Sequence, residues 1–209
     1  MDIVNLKPIP IGYEKQAYQI SKKELKIIKN IKYLSPNKDD YFGWGWDFNL
    51  SKSGTLLENK GLTNLKNFFI QKAKEYTQDI LQIKDEIYLT QSWSTLNKTD
   101  AFHRPHNHPN TFLSLVYYVQ CEDGFISFDL NTSSLCEGFN FQYTVDKSNV
   151  YNSQIWRLPV TTGDLVLFPG HIYHGTTPNR SKQSRIILGA NFFIKGVLGT
   201  EGDKSIIKI

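Results

Sequence analysis

The sequence TFLSLVYYVQ, residues 111–120, is a run of apolar, aromatic and β-branched side chains. This composition predicts a β-strand. Six further runs of the same kind lie between Glu86 and Ile194, separated by Gly, Asn, Asp and Pro: Ile87–Leu96, Phe125–Leu130, Phe139–Val145, Ile155–Val160, Asp164–Phe168 and Arg185–Ile194. Short strands at this spacing, with no helical pattern between them, are typical of an antiparallel sandwich or barrel, a group that includes the jelly roll.

The residues before this region predict helices instead. Glu14–Lys32 has spaced apolar positions and predicts one or two helices, and Thr63–Ile83 has apolar side chains at three- and four-residue steps. Gly61 precedes the second helix, and Thr63 is the expected N-cap. The segment Tyr41–Trp46 is expected to be an aromatic loop. We expect these helices to cover the outer face of one sheet.

The whole chain is predicted to be one domain, because no repeat or Pro/Ser-rich linker divides it. Residues 1–85 form its helical N-terminal part, residues 86–196 its jelly-roll core and residues 197–209 a C-terminal tail. The 209 residues are long enough to bury a substantial core.

The composition narrows the class of protein and its location. The net charge is +4, but the basic residues are spread along the chain and do not alternate with aromatics, so a nucleic-acid partner is not indicated. The sequence contains no run of eighteen apolar residues and no secretory signal, which argues against a membrane or secreted protein. The two cysteines, Cys121 and Cys136, cannot form a disulfide framework, and we therefore expect a cytoplasmic protein.

All five histidines fall in two short windows, His103/His106/His108 and His171/His174. If the segment is extended, His106 and His108 leave the same face, and two imidazoles so placed can converge on one metal ion. A third ligand must come from a strand distant in sequence. His174, which follows the turn at Pro169–Gly170, is the candidate.

These histidines and their flanking strands resemble the Fe(II)- and 2-oxoglutarate-dependent oxygenases, most closely bacterial and phage members related to prolyl hydroxylases. The resemblance covers about half the chain, from Gln91 to Phe193. It is carried by Gln91-Ser92-Trp93 through Asn97, His106-Asn107-His108-Pro109-Asn110, Leu113 through Val119, Gly163 through Pro169, His174, Pro178-Asn179, Arg185 and Asn191.

The resemblance implies a double-stranded β-helix (jelly roll) that holds Fe(II) and the co-substrate 2-oxoglutarate. It implies that His106 is the first iron ligand and His174 the last. Arg185 would pair with the distal carboxylate of 2-oxoglutarate, which a planar guanidinium can hold with two hydrogen bonds. Tyr118 would donate a hydrogen bond to the same carboxylate, and Asn97 and Asn191 would be further contacts.

His108 departs from the family pattern. The usual sequence is His-x-Asp or His-x-Glu, which places two histidines and one carboxylate on one face of the iron. Either this site has three histidine ligands, or His108 withdraws and leaves one position open. We prefer His108 as a ligand, because its geometry matches that of the missing carboxylate.

The resemblance implies a dioxygenase that uses O₂ and 2-oxoglutarate to hydroxylate a small-molecule or peptide substrate and releases succinate. One alternative is a cupin-type metal enzyme without 2-oxoglutarate, although the cupin glutamate is absent, with Phe112 and Leu113 at its place, and Arg185 and Tyr118 would have no role. Another is a non-catalytic jelly-roll binding protein, which would take up no stoichiometric iron. The sequence leaves the substrate and the oligomeric state open.

Overall fold

The computed structural model describes residues 2, 8–36, 48–129, 144–199, 202 and 206–209. The aromatic segment Tyr41–Trp46, most of the predicted strand Phe139–Val145 and Cys136 lie outside this part of the chain. Thr144 and Val145, the two described residues of that predicted strand, are not in a strand. None of the described helices is long and apolar enough to cross a bilayer.

The larger of two facing sheets has seven antiparallel strands in the order β1-β8-β5-β10-β4-β3-β2. These strands are β1 (Gly12–Glu14), β2 (Tyr33–Leu34), β3 (Asn49–Ser51), β4 (Glu86–Asn97), β5 (Leu113–Gln120), β8 (Leu165–Pro169) and β10 (Arg185–Lys195). Strand β10 lies at the centre and pairs with β4 along its whole length. Its central position explains its composition, since a strand with neighbours on both sides and layers on both faces is buried throughout.

The smaller sheet has three strands in the order β7-β6-β9. They are β6 (Phe125–Asp129), β7 (Ile155–Pro159) and β9 (Tyr173–Thr176). A separate two-stranded hairpin joins β11 (Val197–Leu198) to β12 (Ile207–Lys208). The larger and smaller sheets form the predicted double-stranded β-helix. Strand β9, which carries His174, was missed by the sequence analysis because its sequence, YHGT, is short and not apolar.

Two hydrophobic cores lie on opposite faces of the larger sheet, and the alternation along β5 separates them. Leu115, Tyr117 and Val119 face the helices and belong to the first core. Val116 and Tyr118 face the smaller sheet and belong to the second core. Successive side chains of a strand point to opposite faces, so a strand with a layer on each side is apolar at most of its positions.

The predicted helices do cover one face of the larger sheet, but they are shorter than expected. Helix α1 spans Lys22–Lys29, and helix α2 spans Thr63–Lys74 and continues as a π-helical turn over Glu75–Ile80. The prediction that Thr63 caps α2 was wrong. Thr63 is already helical, and its hydroxyl donates to the Lys60 carbonyl at the end of a preceding 3-10 turn (Lys60–Leu62).

A buried carboxylate attaches α1 to the rest of this layer. Glu24 is 3 % exposed and accepts hydrogen bonds from the Ser21 backbone, the Ser21 hydroxyl and the Tyr18 hydroxyl. Burial raises the pKa of Glu24, but these hydrogen bonds and one from the Leu65 backbone outweigh burial and lower the pKa from its ordinary value of 4.5. The charged form is therefore the one that stabilises the fold.

We expect Glu24→Gln to lower the free energy of unfolding by about 1–3 kcal/mol at pH 7, because hydrogen bonds to a charged acceptor become neutral ones. A carboxyl group whose pKa is lowered by folding stabilises the protein above its unfolded pKa and loses this contribution as the pH falls. The difference from wild type should therefore shrink in urea denaturation below about pH 4.5. The control, Glu58→Gln, removes an exposed pair with Lys66 and should cost less than about 1 kcal/mol. An equal loss in both variants, or a loss independent of pH, contradicts this assignment.

The register of the central strands places the predicted site residues on one inner face. Arg185 lies opposite Asn97, Gly189 opposite Trp93, and Asn191 opposite both Gln91 and Ser114. These positions alternate along their strands with residues of the helix-facing core. The face that looks into the space between the sheets therefore carries polar groups.

Candidate metal and co-substrate site

A pair of backbone hydrogen bonds brings together histidines that are far apart in sequence. The His106 N–H donates to the His174 carbonyl at 2.9 Å, and the His174 N–H donates to the His106 carbonyl at 2.8 Å. The His108 N–H donates to the Gly170 carbonyl at 2.9 Å. The loop before β5 thus runs alongside the turn and strand that carry His174. This tertiary contact, rather than a regular strand, places His106 and His108 beside His174.

The three side chains converge as the spacing predicted. One ligand atom from each of His106, His108 and His174 lies within 4.8 Å of the other two. The Nε2 atoms of His106 and His108 are 3.2 Å apart. Nitrogen ligands at neighbouring positions around a metal, each at about 2.1 Å, are about 3 Å apart. His108 has therefore not withdrawn from the cluster.

Hydrogen bonds on the other ring nitrogen orient all three imidazoles. The Nδ1 of His106 lies 2.8 Å from the Arg104 carbonyl, and the Nδ1 of His174 lies 3.0 Å from the Ile172 carbonyl. A carbonyl oxygen can only accept, so each Nδ1 carries the proton and each Nε2 presents a lone pair. Such partners are typical of metal-bound histidines.

His108 has side-chain partners of its own for the same purpose. Its Nδ1 lies 2.7 Å from Asn191 Oδ1 and 2.8 Å from Ser114 Oγ, and the Ser114 hydroxyl donates to Asn191 Oδ1 at 3.0 Å. The Asn191 amide nitrogen donates to Gln91 Oε1, which orients the amide oxygen toward His108. The resemblance implied that Asn191 contacts 2-oxoglutarate. In the structure the Asn191 amide oxygen also holds His108.

Burial keeps the three imidazoles neutral. It lowers the pKa of His108 to about 4, with a smaller contribution from His106. It also lowers the pKa of His106 and, more strongly, that of His174, whose side chain is almost completely buried. At neutral pH the Nε2 lone pairs of His106 and His108 therefore face one another without a proton between them. A bound cation relieves this repulsion, so the cluster fits a metal ion.

A buried guanidinium lies on the same inner face as the histidines. Arg185 is 1 % exposed, and its Nη2 donates to the Thr176 hydroxyl at 3.0 Å and the Thr177 carbonyl at 2.7 Å. Its Nε and Nη1 have no hydrogen-bond partner, and no ion pair to it exists among the described residues. A buried charge without a partner is costly, and a carboxylate with two oxygens would satisfy both nitrogens.

Neighbouring polar groups are unpartnered as well. Tyr118 and Asn97 are fully buried, and neither the Tyr118 hydroxyl nor the Asn97 amide group has a hydrogen-bond partner. The same is true of the Thr95 hydroxyl. Thr95 and Tyr118 line a narrow cavity whose wall also includes His106, His108 and His174. Unsatisfied donors and acceptors in such numbers are typical of a binding site for a polar ligand, and they fit 2-oxoglutarate.

The sequence did not identify Thr95 as a site residue, although the alternation of side chains between the two faces of β4 indicates its position. Trp93, Thr95 and Asn97 occupy alternate positions and therefore share the inner face. The Trp93 ring lines both the narrow cavity and a wider cleft. It lies over Gly189, where a Cβ atom would come within 2.5 Å of the indole. A side chain at position 189 would therefore displace Trp93. The centroid of the Trp93 ring lies 5.3 Å from that of His108.

The two remaining histidines lie at different distances from the site. His103 contacts Phe48, with ring centroids 3.6 Å apart, and lines the cavity and the cleft. His171 is exposed and lies outside the cluster. His103 therefore belongs to the wall of the site, whereas His171 does not contribute to the cluster.

Comparisons with known proteins agree with this geometry. A family model for 2OG-Fe(II) oxygenases matches residues 91–191, just under half of the chain. This span includes the three histidines, Arg185, Tyr118 and Asn97. No curated protein sequence matches the chain.

Solved structures with the same fold belong to enzymes of this type. The α-ketoglutarate-dependent epimerase SnoN from nogalamycin biosynthesis aligns with a TM-score of 0.62 at 12% identity, over 93% of this chain and 80% of its own. HygX from Streptomyces hygroscopicus, with nickel and 2-oxoglutarate bound, aligns at 0.59 and 9% identity, over 88% and 82%. A Pseudomonas putida prolyl-4-hydroxylase aligns at 0.52 and 11% identity, over 90% and 94%.

The family match and the fold point to the same class of protein. Residues 91–191 match a family model of 2OG-Fe(II) oxygenases, and the chain has the fold of solved structures of such enzymes. The cluster of three histidines fits a metal ion.

Proposed function

We propose that His106, His108 and His174 hold the iron of a dioxygenase that hydroxylates an organic substrate. The observation that carries this assignment is the common orientation of the three rings. Each Nδ1 is held by an oxygen, so that the Nε2 lone pairs point into one space. A buried packing histidine also needs a partner at Nδ1, but it does not need its Nε2 directed at two other imidazoles. The dedicated contacts of His108 with Asn191 and Ser114 support a site with three histidines.

Three neutral imidazoles give the iron no compensating negative charge from the protein. The described residues that line the cavity and the adjoining cleft include no Asp or Glu. The dianion 2-oxoglutarate would then supply the negative charge of the assembled site. Its binding should therefore depend on the metal more strongly than in a site that already contains a carboxylate.

We assign the distal carboxylate of 2-oxoglutarate to Arg185 and Tyr118, with Asn97 as a further contact. The support is the set of unpartnered atoms on these side chains, which a carboxylate would satisfy. Burial raises the pKa of Tyr118, although the Arg185 charge opposes this effect, and the hydroxyl therefore stays protonated and able to donate. Thr176 and Thr177 hold the guanidinium at its Nη2 end and leave its other nitrogens for the ligand.

When bound, iron and 2-oxoglutarate supply the oxidation: one oxygen atom of O₂ enters a C–H bond of the substrate, and the other enters succinate as CO₂ leaves. The protein orients these partners and excludes water from them. The buried second core, which contains Phe128, Phe168 and Ile187, surrounds the site on the side of the smaller sheet. The Phe168 ring contacts His174, with centroids 4.3 Å apart, and limits its movement.

In a cupin-type enzyme without 2-oxoglutarate, Arg185 and the Tyr118 hydroxyl would have no ligand to bind. The buried, unpaired Arg185 would lower stability with no gain, and so would the unpartnered Tyr118 hydroxyl. A non-catalytic protein would have the same difficulty.

We also propose a cytoplasmic location, supported by Cys121, which is a buried free thiol.

Anaerobic titration tests the function directly. The protein should bind one Fe(II), and 2-oxoglutarate added afterwards should produce the weak visible charge-transfer band of the complex. The same ligand should raise the melting temperature of the iron-loaded protein more than that of the metal-free protein. Iron uptake without any effect of 2-oxoglutarate would favour the cupin-type enzyme. No iron uptake at all would favour the non-catalytic protein.

A further inference from the structure

A cleft of about 570 Å³ opens beside the histidine cluster and is distinct from the narrow cavity. His106 and His108 are part of its wall, so a molecule in the cleft lies next to the proposed metal position. The volume is in the range of pockets that bind small organic molecules. The other walls come from β3 and the residues after it, from β4 and from the loop around Arg104.

Part of the cleft wall is apolar. Trp93 and Phe48 contribute aromatic rings, and Leu34, Leu50 and Pro105 contribute aliphatic groups. Trp93 is fixed in place, because its ring covers Gly189 and meets the His108 ring nearly edge-on. This surface suits an apolar or aromatic body held against the metal side of the cleft.

The charged groups among the described residues of the cleft wall are all of one sign. Arg104 and Lys52 are the charged side chains among its described lining residues, and neither forms an ion pair there. Lys66, Lys72 and Arg180, by contrast, pair with carboxylates elsewhere on the described surface. Two unpaired cations beside an apolar wall attract an anionic ligand.

The backbone of Arg104 is hydrogen-bonded to the proposed metal site. Its carbonyl accepts the hydrogen bond from His106 Nδ1, so the backbone that carries the guanidinium is tied to a proposed ligand. An anion bound by Arg104 would set the distance from the charged end of the substrate to its reacting C–H bond. This is the role of a specificity-determining residue.

We infer that the substrate is a small organic anion, a carboxylate or a phosphate ester, with an apolar or aromatic body. Arg104 holds the anion with help from Lys52, and Trp93 and Phe48 contact the body. The inference rests on the proposed function, since it assumes that His106 and His108 mark the reaction centre.

The test measures binding to the full chain loaded with Ni(II) and saturating 2-oxoglutarate, which fills the Arg185 site. Calorimetric titrations with phenylacetate, phenyl phosphate and neutral phenylacetamide compare anions with an uncharged molecule of similar shape. We expect at least one anion to bind on the order of tenfold more tightly than the amide. The better of the two anions identifies the charged group. Equal binding of acid and amide would overturn the inference.

Two variants locate the anion and one serves as a control. Arg104→Gln should weaken binding of the anion about 5- to 20-fold and leave binding of Ni(II) and 2-oxoglutarate unchanged. Lys52→Gln should have a smaller effect of the same sign. Arg157→Gln removes an exposed arginine of β7, outside the cleft, and should change nothing. Anion binding that survives in both cleft variants would contradict the assignment, as would an acidic peptide that binds more tightly than either small anion.

The same titrations separate this inference from the proposed function. If the wild-type protein binds Ni(II) and 2-oxoglutarate but no anion of the panel in preference to the amide, only the substrate class is wrong. If 2-oxoglutarate does not bind, the proposed function fails. The panel is then repeated on metal-free Arg185→Met protein, where anion binding that depends on Arg104 would still support an anion site in the cleft.

Discussion

Replacing His108 with alanine is expected to weaken Fe(II) binding by more than the roughly 10- to 100-fold that loss of an outer-shell partner costs. His108 Nε2 lies 3.2 Å from His106 Nε2, and its Nδ1 is held by Asn191, so its lone pair is already aimed at the proposed metal position. Alanine leaves two ligands, and the Asn191 oxygen keeps only the Ser114 hydroxyl as a donor. Competition with a chromogenic chelator under anaerobic conditions measures the change.

The control for this variant is His171→Ala, because His171 is an exposed histidine outside the cluster. It should bind iron like the wild-type protein. His108→Asp restores the carboxylate that related enzymes usually carry at this position, and it should bind iron within about tenfold of wild type. Wild-type affinity in His108→Ala would show that the metal is held by two histidines only.

Replacing Arg185 with methionine is expected to reduce the affinity for 2-oxoglutarate by a factor on the order of 100, since losing one partner of a buried charge pair costs about 2–5 kcal/mol. Arg185 presents two unpartnered nitrogens, and no carboxylate among the described residues competes for them. Fe(II) binding should be unchanged, because the histidine hydrogen bonds do not involve this side chain. Titration of the iron-loaded protein with 2-oxoglutarate separates the two affinities.

Arg185→Met is not expected to destabilise the ligand-free protein. A buried guanidinium without a counter-charge destabilises the ligand-free protein, and methionine of similar length removes that cost. The ligand-free melting temperature should therefore not fall, whereas the increase on adding 2-oxoglutarate should disappear. Arg157→Met, on exposed β7, should change neither quantity. Loss of iron binding together with a lower melting temperature would mean that Arg185 is only structural.

The strands were predictable because each carries its own local signal. β4, β5, β6, β7, β8 and β10 begin and end within two residues of the predicted runs. β9 was missed, since a four-residue strand that contains glycine and histidine has no apolar pattern. The span Glu14–Lys32, predicted to form one or two helices, contains one short helix, because residues 15–20 form a turn and an irregular segment.

Most residues of the candidate site could be predicted from the sequence, but the hydrogen bonds and contacts between them could not. The spacing of His106 and His108 suggested a shared face, and the resemblance named His174, Arg185, Tyr118 and Asn97. Neither could show that Asn191 holds His108 or that Thr95 faces the cavity. The position of the Trp93 ring depends on Gly189, which lies on a neighbouring strand far along the chain.

The sequence by itself determined six of the strands and, through the histidine spacing and the family resemblance, most members of the candidate site. The six strands follow from their composition, which is a local property. Only the tertiary structure decided that His108 stays in the cluster. That outcome depends on the pairing of the loop before β5 with the His174 strand, and on the register of β5 and β10 that brings Ser114 and Asn191 to its ring. Contacts between segments so far apart in sequence leave no trace in either segment alone.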